Sequence, residues 1–125
     1  MMDKTILIVD DAKEIRQLVK ATLEFEGCTV VEANSGSQAV EAALEFMPDL
    51  IIMDMAMPGE MNGIEATRAI KQNKNTSGCK IIMLTGSDGA LREEAHEAGA
   101  SEFFNKPFSP LHLINKVEEL LGKEG

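Results

Sequence analysis

Four places in this chain carry side chains that could do chemistry together: Asp10-Asp11, Asp54, Thr85-Gly86-Ser87 and Lys106-Pro107. Each follows directly on a short apolar run, at 5–9, 50–53, 80–84 and 102–105. If those runs are neighbouring parallel strands, three carboxylates, a hydroxyl and an ammonium converge on one sheet edge. Crowded, partly buried carboxylates repel one another. A hard divalent cation with oxygen ligands, Mg²⁺ above all, offsets that repulsion, and Lys106 brings the local charge to zero. Mg²⁺ held by only a few protein groups keeps several waters and favours a phosphoryl ligand. A carboxylate beside it can attack an electrophilic phosphorus. Asp54 is the candidate nucleophile, because no helix begins directly after it, whereas an acidic residue placed like Asp11 is more often a helix cap. An aspartyl phosphate at Asp54 would be stabilised by Lys106 and the metal, with Thr85 as a hydroxyl donor and Gly86 leaving its backbone N–H reachable.

The elements that must position these groups are legible as an alternation. The apolar runs at 5–9, 29–33, 50–53 and 80–84 show no clear period of two, as strands buried on both faces do, and a weaker run covers 102–105. Five amphipathic segments follow them. The first, 12–26, has Ile15, Leu18, Val19, Thr22 and Leu23 on one face, Asp11 with Glu14 as a capping box, and Gly27 as its stop. The second runs from Ser35, paired in the same way with Gln38, to Phe46. The third follows Gly63 with Ile64, Ala66, Thr67 and Ile70. The fourth covers 90–98 and stops at Gly99. The fifth has Ser109 at the cap, Pro110 at the first helical position and Gly122 after the last turn. Five βα units with short connections imply an α/β fold, a doubly wound five-stranded parallel sheet in the order 2-1-3-4-5 with five helices. Its ligand crevice lies at the carboxyl ends of the first and third strands.

The 125 residues suit one domain, read here as a single unit over 1–125 with no output domain. Hydrophobic residues at 44% and charged residues at 26% argue against disorder. A net charge of −9 and a pI near 4.6 disfavour direct contact with nucleic acid or an anionic membrane. No apolar run approaches the roughly 20 residues of a membrane helix, and the start lacks a signal peptide's apolar stretch. Cys28 and Cys79 have no metal-ligand spacing and read as buried thiols; with the missing signal peptide they suggest a cytoplasmic location. In the 2-1-3-4-5 order they stand too far apart for a disulfide. His96 and His112 read as solvated helix positions. Met53 reads as core, and Met61 has no support as a contact surface.

Over essentially its whole length the chain resembles the receiver domain of two-component response regulators, in particular a stand-alone receiver of the chemotaxis-regulator kind. The resemblance is carried by Ile6-Leu7-Ile8-Val9-Asp10-Asp11, Ile52-Met53-Asp54-Met55-Ala56-Met57-Pro58, Met83-Leu84-Thr85-Gly86 and Phe103-Phe104-Asn105-Lys106-Pro107-Phe108, in order and at family spacing. It implies a flavodoxin-like fold and phosphorylation of Asp54 by a sensor histidine kinase or phosphotransfer protein. It implies Mg²⁺ on Asp11, Asp54 and the Ala56 carbonyl, with Asp10 reaching the metal mainly through water. It makes Thr85 and Phe103 a switch pair. A downstream protein would bind the face of the fourth helix, fifth strand and fifth helix (α4, β5 and α5). Such a module is not a turnover enzyme; it catalyses only its own phosphorylation and dephosphorylation. The resemblance also points to a cis peptide before Pro107.

One departure from the family pattern lies at Pro58-Gly59-Glu60-Met61-Asn62-Gly63, which holds one residue more than usual. Pro58-Gly59 suits the centre of a type II turn that bulges the extra residue into solvent, and Glu60 adds negative charge near the pocket. Other classes fit less well. A flavin carrier wants a Ser/Thr- and Gly-rich loop after the first strand, where this chain has Asp10-Asp11-Ala12-Lys13. An aspartate-nucleophile phosphatase wants a second carboxylate at the position of Ala56. A pseudo-receiver, which only binds proteins, normally lacks one of Asp54, Thr85 or Lys106; it is the alternative reading.

Overall fold

The computed structural model describes residues 4–57, 59–86, 91–106 and 108–122. Strands β1 (Thr5–Val9), β2 (Thr29–Ala33), β3 (Leu50–Asp54), β4 (Lys80–Thr85) and β5 (Glu102–Asn105) alternate with helices α1 (Lys13–Phe25), α2 (Gly36–Phe46), α3 (Gly63–Gln72), α4 (Arg92–Ala98) and α5 (Pro110–Leu121). The strands form one parallel sheet in the order β2-β1-β3-β4-β5, as the sequence predicts. β3 and β4 each run one residue further than the apolar pattern, so Asp54 and Thr85 are the last residues of their strands rather than the first of their loops.

The central strands present apolar side chains to both faces, which is why their sequences lack alternation. Ile6, Ile8, Leu50, Ile52, Ile82 and Leu84 pack with Leu23 of α1 and with Leu113 and Val117 of α5. Leu7, Val9, Ile51, Met53, Ile81 and Met83 pack on the other face with α2, α3 and α4 through Ala39, Ala43, Ile64, Ile70 and Ala95. Cys28 belongs to the first layer and Cys79 to the second, and both are buried. Among the described residues no helix is long and apolar enough to cross a membrane.

At three helix starts the capping differs from the sequence reading. Asp11 does not cap α1; the cap residue is Ala12, which offers no side-chain acceptor, because the turn out of β1 places the helix start one residue later. Leu18 is 45% exposed, so the buried stripe of α1 is the narrower set Ile15, Val19 and Leu23. At α2 the Ser35 hydroxyl accepts from the Gln38 N–H at 3.2 Å, but the Gln38 side chain accepts from Asn34 rather than from Ser35. The full reciprocal box is at α3, where Asn62 Oδ1 accepts from the Glu65 N–H and Glu65 Oε1 from the Asn62 N–H, each at 2.9 Å. Ser109 caps α5 as expected. Ala90, where the fourth helix was predicted to begin, lies outside the described residues.

The loop from β3 to α3 accommodates its extra residue between two anchors. Met57 is buried, and Met61 packs on the α2–α3 layer, so Met61 is a packing residue rather than a contact surface. Gly59 and Glu60 between them are exposed, and Gly59 takes a φ of 109°, which suits the second central position of a type II turn. Pro58, the other half of that turn, lies outside the described residues. The loop closes where the Gly63 N–H donates to the Met55 carbonyl at 3.0 Å. A Cβ on Gly63 would stand 2.1 Å from the Asp54 carbonyl oxygen, so only glycine lets α3 start this close to β3.

Candidate functional site

Strand register sets the site. Val9 of β1 lies opposite Met53 of β3, so the next residues, Asp10 and Asp54, emerge side by side at the carboxyl edge of the sheet. Asp10 is fully buried, Asp54 is 4% exposed, and Asp11 is exposed. One carboxylate oxygen from each of the three falls within 4.8 Å of the others. Lys106, after β5, places Nζ 2.9 Å from Asp10 Oδ2 and 3.4 Å from Asp54 Oδ1. Its own N–H donates to the Thr85 carbonyl at 2.8 Å, which ties the end of β5 to β4 and aims the ammonium inward. The Ala12 N–H donates to Asp10 Oδ1 at 2.9 Å and the Ala56 N–H to Asp54 Oδ1 at 3.3 Å. The sequence-predicted Asp10, Asp11, Asp54 and Lys106 are therefore brought together.

Burial pushes the Asp54 carboxyl up from 3.8 to about 6, and the neighbouring Asp10 carboxylate adds to the rise; Lys106 and the Ala56 N–H offset only part of it. Burial alone would lower the Lys106 ammonium, but hydrogen bonding and charge from Asp10 and Asp54 outweigh it and hold the lysine above its usual value. The crevice is thus short of positive charge. Asp10 Oδ2 shows the same shortage: it is buried, and the positive charge beside it is the Lys106 ammonium at 2.9 Å, which it shares with Asp54. Three carboxylates clustered around one lysine form an all-oxygen donor set that fits a hard cation such as Mg²⁺. Among the described residues no other group of His, Cys, Asp and Glu side chains is placed to hold a metal.

Thr85 ends β4 nearly buried, opposite Asn105 of β5. Phe103, two residues earlier in β5 and opposite Met83, projects to the same face as Thr85 and is half-buried. The Arg92 guanidinium lies over its ring, 5.1 Å from the centroid, and donates to Asn105 Oδ1 at 3.4 Å. His96 and His112 are exposed, and His112 rests on Phe104 with ring centroids 5.2 Å apart. Ser87 and Pro107, with the cis bond expected before it, lie outside the described residues. Arg16 escaped the sequence reading: its Nη1 donates to the Asp10 carbonyl at 2.7 Å. The contact comes from the way the turn between β1 and α1 folds back on the strand end, which hydrophobic periodicity does not report. A cavity of about 330 Å³ at the opposite end of the sheet, bordered by Lys4, Asp49 and Cys79, takes no part in this site.

A family model of the response regulator receiver domain matches residues 6–118. The phosphate regulon transcriptional regulatory protein PhoB of Pseudomonas aeruginosa is 37% identical over 126 residues, covering 100% of this chain and 55% of that protein. The transcriptional regulatory protein ResD of Bacillus subtilis is 42% identical over 125 residues, covering 96% of this chain and 50% of that one. The chain thus spans about half the length of these relatives. The chemotaxis response regulator CheY4 of Vibrio cholerae superposes with a TM-score of 0.88 at 32% identity, over 96% of this chain and 99% of that one. The receiver domain of sensor histidine kinase PA1611 from Pseudomonas aeruginosa, with a magnesium ion coordinated in its active site cleft, superposes with a TM-score of 0.87 at 30% identity, over 96% and 98% of the two chains.

Proposed function

The chain belongs to the response regulator receiver domain family of two-component signalling, and from that premise we propose that Asp54 is its phosphoacceptor. Receiver domains are signalling modules rather than turnover enzymes. The observation that carries the reading is the convergence of Asp10, Asp11 and Asp54 within 4.8 Å of one another, with Lys106 Nζ 3.4 Å from Asp54 Oδ1. In the proposed step an Asp54 carboxylate oxygen attacks the phosphorus of a phosphohistidine on a sensor kinase or phosphotransfer protein. The O–P bond forms as the P–N bond breaks, and the imidazole nitrogen keeps the electron pair and takes up a proton. Lys106 neutralises charge on the transferring oxygens, and the Thr85 hydroxyl would donate to the product. Asp10, Asp11, Asp54 and the Ala56 carbonyl would hold Mg²⁺, which supplies the positive charge that lets a dianionic phosphoryl enter an acidic crevice.

The readout we propose runs from Thr85 to Phe103 and on to the face of α4, β5 and α5. That face carries a cavity of about 320 Å³ bordered by Arg92, Phe103, Phe104, Phe108 and His112. Leu111, 66% exposed, stands near it on α5. A downstream protein contacting this face is the partner that fits, and two cysteines buried in opposite layers of the fold suit a reducing, cytoplasmic setting. The test is intact-mass measurement after incubation with a small acyl phosphate and Mg²⁺. The chain should gain one phosphoryl group, lost in hydroxylamine, and neither Asp54→Ala nor the metal-free chain should gain it. Equal labelling of Asp54→Ala would refute the assignment, and no labelling of the parent would leave a binding-only module.

A further inference from the structure

Arg16 touches neither the proposed phosphoryl position nor a metal ligand atom, yet it is bonded to the strand end that presents them. Its Nη1 donates to the Asp10 carbonyl at 2.7 Å, and its Nε donates to Glu32 Oε1 of β2 at 3.1 Å. The side chain is only 15% exposed. One guanidinium in the first turns of α1 therefore spans from the end of β1 to β2. Two other contacts hold the strand end, the Asp10 N–H donating to the Ala33 carbonyl of β2 at 3.2 Å and Lys106 beside Asp10 Oδ2 at 2.9 Å, but neither reaches the Asp10 carbonyl, where the turn begins. Ala12 gives α1 no side-chain cap, and the Ala12 N–H to Asp10 Oδ1 bond is internal to the turn itself.

We propose that Arg16 is a positioning residue for divalent-cation binding: by clamping the Asp10 carbonyl against Glu32 it fixes how Asp10 and Asp11 present their oxygens. The clamp needs a rigid fork serving two acceptors at once, which a lysine ammonium of equal charge does not reproduce. This rests on the reading that the three carboxylates take Mg²⁺.

Charge and geometry predict opposite signs here. As a cation beside a cation site, Arg16 opposes Mg²⁺, so on electrostatics alone its removal tightens binding. As a clamp, its removal weakens binding. The experiment is a calorimetric Mg²⁺ titration of the full chain and of Arg16→Lys, Arg16→Ala and Lys20→Ala. Lys20 is the control, because it pairs with the same Glu32 at 3.4 Å from the same helix but is not bonded to Asp10. Both Arg16 variants should bind Mg²⁺ about tenfold more weakly, the low end of what outer-shell groups contribute. Lys20→Ala should bind as the parent does or slightly more tightly. Without metal, amide exchange at Ala12 should quicken about tenfold in the Arg16 variants alone. If Arg16→Ala fails to fold, Arg16→Lys carries the comparison. Arg16 variants that bind Mg²⁺ as tightly as the parent, or leave Ala12 exchange unchanged, overturn the clamp. A parent chain that binds no Mg²⁺ instead overturns the reading of the carboxylates.

Discussion

Replacing Asp54 by asparagine should stabilise the metal-free protein, and the size of the effect follows from the buried crevice. Burial and the Asp10 carboxylate raise the Asp54 carboxyl from 3.8 to about 6. The folded chain therefore keeps a proton between pH 4 and 6 that the unfolded chain has lost, so stability falls as pH rises through that window. Above it, holding Asp54 ionised costs about 3 kcal/mol, from about two pKa units at 1.36 kcal/mol each. Asparagine removes this cost and still accepts from the Ala56 N–H. It forfeits the 3.4 Å pairing with Lys106, which keeps Asp10 at 2.9 Å. The net gain at pH 8 should be about 1–2 kcal/mol, or roughly 4–8 °C in Tm for a domain of this size. The chain has no Trp or Tyr, so thermal unfolding in a chelator is followed by circular dichroism or calorimetry. At pH 4.5 the cost to the parent falls to about 1 kcal/mol and the gap should close. An asparagine variant no more stable than the parent at pH 8, or one whose advantage persists at pH 4.5, would refute the reasoning.

Other substitutions separate the roles of neighbouring residues. Asp11→Asn should change metal-free stability by less than about 0.5 kcal/mol, because Asp11 is exposed and its repulsion is screened, yet it should weaken Mg²⁺ binding in a calorimetric titration. Gly63→Ala should destabilise by about 3 kcal/mol or more in urea unfolding, since its Cβ would stand 2.1 Å from the Asp54 carbonyl oxygen and must push α3 off β3. Asn62→Ala, which opens the capping box of α3, should cost about 1 kcal/mol in the same assay.

Most of this architecture is legible in the sequence because its strands are buried on both faces, and a run such as Leu50-Ile51-Ile52-Met53 admits few other readings. The site is legible for the same reason. Polar groups at the carboxyl ends of the strands, as Asp10, Asp54 and Lys106 are, break the apolar runs abruptly and so stand out in the sequence. Contacts across the sheet are what a linear pattern leaves out. Nothing local distinguishes buried Asp10 from exposed Asp11; the difference arises because Asp10 faces β3 while Asp11 turns outward with the chain. Arg16 looks like any helix surface cation until the β1–β2 register puts Glu32 beside it. The cap at Asn62 and Glu65 carried a sequence signal of its own, an acceptor three residues before a glutamate. The sequence reading has this helix follow Gly63 and leaves its cap unassigned, in a loop already unusual for its extra residue, whereas α3 begins at Gly63 itself. Leu18 was misplaced because a helical period admits a wider face than α5 leaves α1 to bury.

The central claim, that the phosphoryl group resides on Asp54, is tested most directly by chemical mapping of the modified residue. Borohydride reduces an aspartyl phosphate to homoserine, which peptide mass spectrometry locates by residue. After acyl phosphate and Mg²⁺ treatment, homoserine should appear at position 54 and nowhere else, and should vanish when Mg²⁺ is withheld. Homoserine at position 10 or 11, or a phosphorylated chain with none at 54, would contradict the account.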